Sequence, residues 1–316
     1  MNIEKIIKET KPDISQSTLK TYNQNLNKLN KLITQKKEIE NLDFLKDSSK
    51  VLDVLEQLAL STKKNYLVSI IVILNSNKNK YKSLIETYNE KIKSLQKTIN
   101  DSYDDNEKSD KQKENWLEYD DILKLLKTMK KETKPLLDKD ELNKKEKDLI
   151  QQYLVIYLYS GKAFPPVRND FSNMKIVNED FDMDNTKNYF VVRKGKPPYF
   201  KLNEYKTAKY KGEQIIPIKD MELRKLINQW AKINGTGFLL VNLSNDEPMT
   251  ANGITKYLSK IFRKHFKKNV SSSLLRSIYI TNKYDNRLST SEKKDLADKM
   301  GHSKNIAETV YNKVDD

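Results

Sequence analysis

The sequence has no cysteine, and its 316 residues include only two histidines, two tryptophans, seven glycines and eight prolines. Without cysteine there is no disulfide framework, no thiolate nucleophile and no cysteine-ligated zinc site. Two histidines are too few for a histidine-rich metal site. So little glycine and proline argues for helices over a glycine-turned β protein. A long apolar run is also missing. The best stretch, Tyr66 to Leu74, is about half of the roughly 18 residues a membrane span needs. The first residues, Met1-Asn-Ile-Glu-Lys-Ile-Ile-Lys, are amphipathic and lack the apolar centre of a signal peptide. A soluble, intracellular protein is expected.

What is abundant is positive charge. Lysine and arginine number 59 against 44 aspartates and glutamates, a net charge of +15. That balance points to a polyanionic partner, nucleic acid first and an acidic membrane surface second. The membrane reading is weak, because no segment pairs a bulky aromatic face with a lysine face at helical spacing. The length predicts two domains.

The periodicity of the first part is helical. Ser17-Thr18 offers a cap, after which Leu19, Tyr22, Leu26, Leu29 and Ile33 share one face. Further helices are expected over Val51–Leu58, after Ser61-Thr62 with Tyr66, Ile70, Ile73 and Leu74 inward, and over Lys80–Ile99. Residues 101–114 are polar and aperiodic, which predicts a linker between domains at 1–100 and 115–316. The second domain opens with a helix at Trp116–Leu126. An apolar run over Leu149–Tyr159 predicts a buried helix that stops at Gly161 and Pro165-Pro166. The period then changes. Residues 188–193, 199–205 and 214–218 are short, β-branched or aromatic, and predict a three-stranded antiparallel sheet. Helices resume over Asp220–Ile233, Thr250–Phe266, Ser271–Tyr284, Ser291–Met300 and Lys304–Asn312.

Several groups suited to phosphate chemistry stand in this second part. Arg276 lies in a helix among Leu274, Leu275 and Ile278, and an arginine in apolar company needs a buried partner or a ligand. Arg168 follows Pro165-Pro166-Val167. Lys206 stands just before, and Lys209 within, the turn expected at Ala208–Gly212. Gly301-His302 precedes Tyr311 by nine positions. The second histidine, His265, sits in a basic helix end where a catalytic role is not expected.

In their order and spacing these residues resemble the catalytic domain of the tyrosine recombinases, the phage and viral integrase family, over roughly residues 113–316. The stretch Ser17-Thr-Leu-Lys-Thr-Tyr22 is similar, less specifically, to the family's core-binding domain. The resemblance implies a mainly α fold with a small antiparallel β-sheet: a helical core-binding domain plus an α+β catalytic domain. It implies Tyr311 as nucleophile, Arg168 and Arg276 as clamps on the scissile phosphate, and His302 as a phosphate or proton partner. A hairpin lysine would protonate the leaving 5′ oxygen. Lys206, in a Lys-Thr pair, is preferred, while Lys209, eight residues before Pro217, stays open. The sequence departs from the family at Ser273, where a histidine is usual; a hydroxyl can bind phosphate but carries no charge. Arg168 departs as well, since many members place this arginine two residues after a Thr/Ser-Gly, a place held here by Ala163.

The implied activity is site-specific recombination of double-stranded DNA through a 3′-phosphotyrosine, integrating or excising a viral or mobile genome. No metal and no small-molecule cofactor is implied. Family members of this kind act as homo-tetramers on paired sites, and a viral member would work in the virion, host cytoplasm or nucleus. A type IB topoisomerase-like enzyme or a catalytically inactive DNA-binding relative are the alternatives.

Overall fold

Periodic apolar residues separated by polar caps build most of the chain into helices. The computed structural model describes residues 1–104, 106–285 and 288–314, and the chain divides into two units, Met1–Asp105 and Asn106–Asp316. Asp105, within the expected linker, lies outside the described residues, as do positions 286–287 and 315–316 of the expected second domain.

The first unit is all-helical: α1 (Ile3–Thr10), α2 (Gln16–Thr34), α3 (Ser48–Leu55), α4 (Leu60–Leu74) and α5 (Lys82–Asp104). Its core gathers Ile7, Leu19, Leu26, Leu29, Leu45, Val51, Leu67, Ile70 and Ile73. Tyr88 is buried among them and donates its hydroxyl to the Leu45 carbonyl at 2.8 Å, which satisfies the one polar atom it brings inside. Two helix starts differ from expectation. Ser15, not Ser17-Thr18, caps α2 by accepting the Thr18 N–H. Helix α4 starts after Ala59 without a side-chain cap.

The stretch expected as an aperiodic linker is partly helical. Helix α5 reaches Asp104, and α6 (Asp110–Asn115) is started by a capping box between Ser109 and Gln112. Such a box closes a short helix with polar groups alone, so apolar periodicity does not reveal it.

The second unit continues with α7 (Tyr119–Thr133) and α8 (Lys144–Tyr159). Every residue of α8 from Ile150 to Tyr159 is buried. The amide of Gln151, inside that run, bonds both the N–H and the C=O of Val241, so its burial leaves no polar atom unsatisfied. Gly161 ends the run with φ +75°, a conformation that favours glycine.

The sheet corrects an expectation. It is four-stranded and mixed, in the order β1 (Lys175–Asn178), β2 (Tyr189–Val192), β3 (Tyr199–Leu202), β4 (Gln214–Pro217). Strands β2, β3 and β4 pair antiparallel, but β1 runs parallel to β2, with Ile176 opposite Phe190. A four-residue strand whose partner returns only after the loop at 179–188 has no hairpin turn to announce it. The expected turn between β3 and β4 contains one helical turn, α9 (Ala208–Lys211), closed by Gly212 at φ +69°. Helix α10 (Met221–Asn234), the small β5 (Val241–Asn242) and β6 (Glu247–Pro248) pair, α11 (Ala251–Phe266), α12 (Ser272–Asp285), α13 (Thr290–Lys299) and α14 (Lys304–Ile306) follow. A π-helical turn, Ala307–Tyr311, extends α14. Among the described residues no helix is long and apolar enough to cross a membrane.

Candidate active site

Arg168 sits on the loop that leaves α8, and aromatic packing holds that loop. Phe164 and Phe171 meet Phe200 of β3 edge-on, with ring centres 5.6 and 5.0 Å away, and Tyr159 closes on Phe171. The Tyr159 hydroxyl donates to the Arg168 carbonyl at 2.9 Å. Asp170 accepts the Arg168 N–H at 3.1 Å, and Asn169 donates to the Ala251 carbonyl and the Thr255 hydroxyl of α11. The backbone around Arg168 is thus pinned from three directions while its side chain stays half-buried. Burial holds the Asp170 carboxyl above its ordinary range, against the pull of Arg168 and Arg276.

Arg276 comes from the opposite side, on α12, and is fully buried. Its two terminal nitrogens donate to the carbonyls of Pro166 (2.8 Å) and Met300 (2.9 Å), while Nε has no partner. An arginine locked to two carbonyls keeps its charge inside the protein with no carboxylate bonded to it, which leaves that charge available to an anion.

Tyr311 ends the π-helical turn. The Arg276 guanidinium carbon lies 4.8 Å from its ring centre, and the charges of Arg276 and Arg168 both act on its hydroxyl. Burial raises the phenol pKa, but the two cations outweigh it, and the net shift is downward. The His302 ring stacks on Tyr311 with centres 4.9 Å apart and planes 18° apart. Its Nδ1 lies 3.2 Å from the Ser303 carbonyl, which can only accept, so Nδ1 carries the proton. Nε2 is then a bare lone pair, buried and unpartnered. Burial first, and Arg276 second, push this histidine down to about 4, so it is neutral at pH 7.

Residues 205–211 pack against the same place. Gly301 has φ +72°, and a Cβ there would lie 3.7 Å from Arg168 Nη1, Thr207 Oγ1 and Tyr205 Cε2. Lys206, between those two contact residues, and Lys209 are both exposed. Ser273 is exposed at the start of α12 and lines, with Tyr311, Ser277 and Asn115, a cavity of about 320 Å³. His265 lies towards the end of α11, where burial and Lys264 lower its pKa.

Arg168, Arg276, His302 and Tyr311 therefore meet at one point, with Ser273 on the cavity beside it. Three contributors escaped the sequence reading. Asp170 bonds the Arg168 backbone, Thr207 donates to the Gly301 carbonyl at 2.9 Å, and Lys211 donates to the His302 carbonyl at 3.1 Å. Asp170 acts locally, two residues from Arg168, while no residue pattern marks Thr207 or Lys211, because each acts through a contact some ninety residues away in sequence. Among the described residues no group of three histidine, aspartate or glutamate side chains gathers where it could hold a metal ion.

No protein-family model matches the sequence, and neither does any curated protein. Solved structures do match. The Tn1549 transposon integrase, solved in complex with transposon right end DNA, superposes with TM-score 0.51 and 14% identity over 100% of this chain and 96% of that one. The fold is that of the tyrosine recombinases. XerA recombinase aligns over 100% of this chain and 95% of its own, at 12% identity and TM-score 0.40. Within the tyrosine recombinase fold, the Arg168, Arg276, His302 and Tyr311 cluster is built by the loop after the buried α8, by α12, and by the turns that follow α13 and α14.

Proposed function

We propose that the chain is a site-specific DNA recombinase that cuts and rejoins strands through a 3′-phosphotyrosine. One observation carries this reading: the Arg276 guanidinium, bonded to two carbonyls and to no carboxylate, lies 4.8 Å from the Tyr311 ring centre, where its charge and that of Arg168 both act on the Tyr311 hydroxyl. In the reaction the Tyr311 oxygen attacks the scissile phosphorus, the O–P bond forms, and the bond from phosphorus to the 5′ oxygen breaks. The phenol proton passes to solvent, eased by the lowered pKa. Lys206 supplies a proton to the departing 5′ oxygen, with Lys209 as the second candidate. Arg168 and Arg276 take the charge that builds on the non-bridging oxygens. Ser273 adds a hydroxyl donor at the edge of the site.

Double-stranded DNA as substrate is supported by the +15 charge and by the integrase of like fold that was solved with transposon end DNA. Integration or excision of a viral or mobile genome is the biological role proposed, with four copies assembled on two DNA sites.

The test uses nicked duplexes tiled across the DNA that flanks the protein's own coding sequence, so that cleavage releases a short fragment and traps the covalent complex. A denaturation-resistant protein–DNA adduct is expected, absent in Tyr311→Phe. DNA binding without any adduct would instead make the chain an inactive relative, the outcome that Ser273 in place of a histidine favours.

A further inference from the structure

The last carbonyls of a helix have no intrahelical donors. At the end of α13 they are met in an unusual way. Four consecutive carbonyls each accept from a side chain of another element: Lys299 from Gln214 (2.8 Å), Met300 from Arg276 (2.9 Å), Gly301 from Thr207 (2.9 Å) and His302 from Lys211 (3.1 Å). Three of those four donors lie within one stretch, residues 207–214. Lys211 also pairs with the Asp298 carboxylate at 2.9 Å, so its ammonium spans the last turn of α13 and the His302 loop. This stretch starts beside Lys206 and is short, half-exposed and closed by a glycine at positive φ. Its backbone closes a single helical turn, with Tyr210 and Lys211 N–H on the Thr207 carbonyl and Gly212 N–H on that of Ala208, which does not tie it to α13. Side-chain bonds to α13 do that instead.

We infer that Lys211 is a positioning residue for strand cleavage. It clamps residues 205–214 onto the end of α13 and so delivers Lys206 to the leaving oxygen. The inference rests on the recombinase reading and on Lys206 as proton donor. Lys211 itself is directed at Asp298 and the His302 carbonyl, so it acts through the segment and not on the DNA. Gly301 shapes the docking surface through its backbone: its φ of +72° favours glycine and turns the chain where Arg168, Tyr205 and Thr207 gather. The clamp thereby ties proton delivery to the same loop that carries His302.

The test compares two nicked duplexes that differ in one atom. One has the natural oxygen at the 5′ bridging position, the other sulfur. A thiolate leaves without a proton, so the sulfur duplex bypasses the proton donor and keeps every other requirement. Lys211→Ala is expected to slow covalent-complex formation about tenfold on the oxygen duplex, the scale of one ion pair with one hydrogen bond, and less than twofold on the sulfur duplex. Asp298→Asn should show the same pattern more weakly, and Lys211→Arg should restore the oxygen rate. Equal slowing on both duplexes, or no slowing on either, overturns the proposal. Amide exchange is read in parallel: residues 205–213 should exchange faster in Lys211→Ala while α12 keeps its protection. If the unaltered protein forms no adduct with either duplex, the recombinase reading fails and the cleavage role falls with it. Unchanged exchange in Lys211→Ala overturns the clamp on its own.

Discussion

The Arg276 guanidinium carbon stands 4.8 Å from the centre of the Tyr311 ring, and its charge lowers the pKa of the same residue's hydroxyl. The proposed nucleophile and the cation proposed to assist it are thus in contact in the fold. Two cations act on the phenol, and in the proposed reaction the scissile phosphate takes over both guanidiniums.

The first consequence concerns pH. Burial raises the Tyr311 pKa, and Arg276 and Arg168 bring it below the ordinary value of 10.0. Removing either cation takes away part of the lowering and so raises the phenol pKa relative to the natural protein. In single-turnover cleavage measured across the alkaline range, Arg276→Ala and Arg168→Ala should therefore each move the rising limb to higher pH. An unmoved limb in both would show that the tyrosine proton is not governed by these arginines.

The arginines also separate by stability. Each alanine substitution should lower the cleavage rate by about 10²–10³, the scale of losing one preorganised charge donor, with duplex affinity nearly unchanged. Arg276→Ala in addition strands the Pro166 and Met300 carbonyls in the interior, at about 1–3 kcal/mol for each unsatisfied group. Arg168 is half-exposed. Thermal denaturation should show a clear drop for Arg276→Ala and a small one for Arg168→Ala.

His302 makes stability depend on pH. Its folded pKa of about 4 lies below the ordinary 6.5, so the unfolded chain takes up the proton first as pH falls. The contribution is whole above pH 6.5 and is lost on the way down to pH 4. It amounts to at most about 3 kcal/mol. Chemical denaturation at pH 7 and pH 4.5 should show a smaller loss on acidification for His302→Gln than for the natural residue.

Gly161 is the sharpest steric constraint near the site. A Cβ at this position would lie 2.3 Å from the Tyr279 ring, and the backbone is at φ +75°. Tyr279 has little room to yield, because it packs edge-on against Tyr119. Gly161→Ala should cost roughly 2–5 kcal/mol, from the strained φ and overpacking together. It should also loosen the loop that carries Arg168, read as a lower melting temperature and slower cleavage together.

Much of the architecture was legible because it repeats locally. The apolar run over Leu149–Tyr159 announced the buried helix α8, and Gly161 with Pro165-Pro166 announced its end. Thr250 and Asp220 cap the helices expected after them. The parallel strand β1 and the polar helix α6 were not legible. One depends on pairing across a loop, and the other on hydrogen bonds between Ser109 and Gln112 that leave no apolar stripe.

The candidate site divides along the same line. Arg168, Arg276, His302 and Tyr311 were singled out by a resemblance to the tyrosine recombinases that their order and spacing carry. Their protonation states were decided only in three dimensions. His302 is neutral because burial and Arg276 oppose its charge, and Tyr311 is acidified because two arginines from distant segments converge on its hydroxyl. The same holds for Thr207, Lys211 and Gln214, whose role exists only where the end of α13 offers them carbonyls. A sequence specifies which groups are present. Charge and hydrogen bonding act over a few ångströms of space, and that distance is set by the fold.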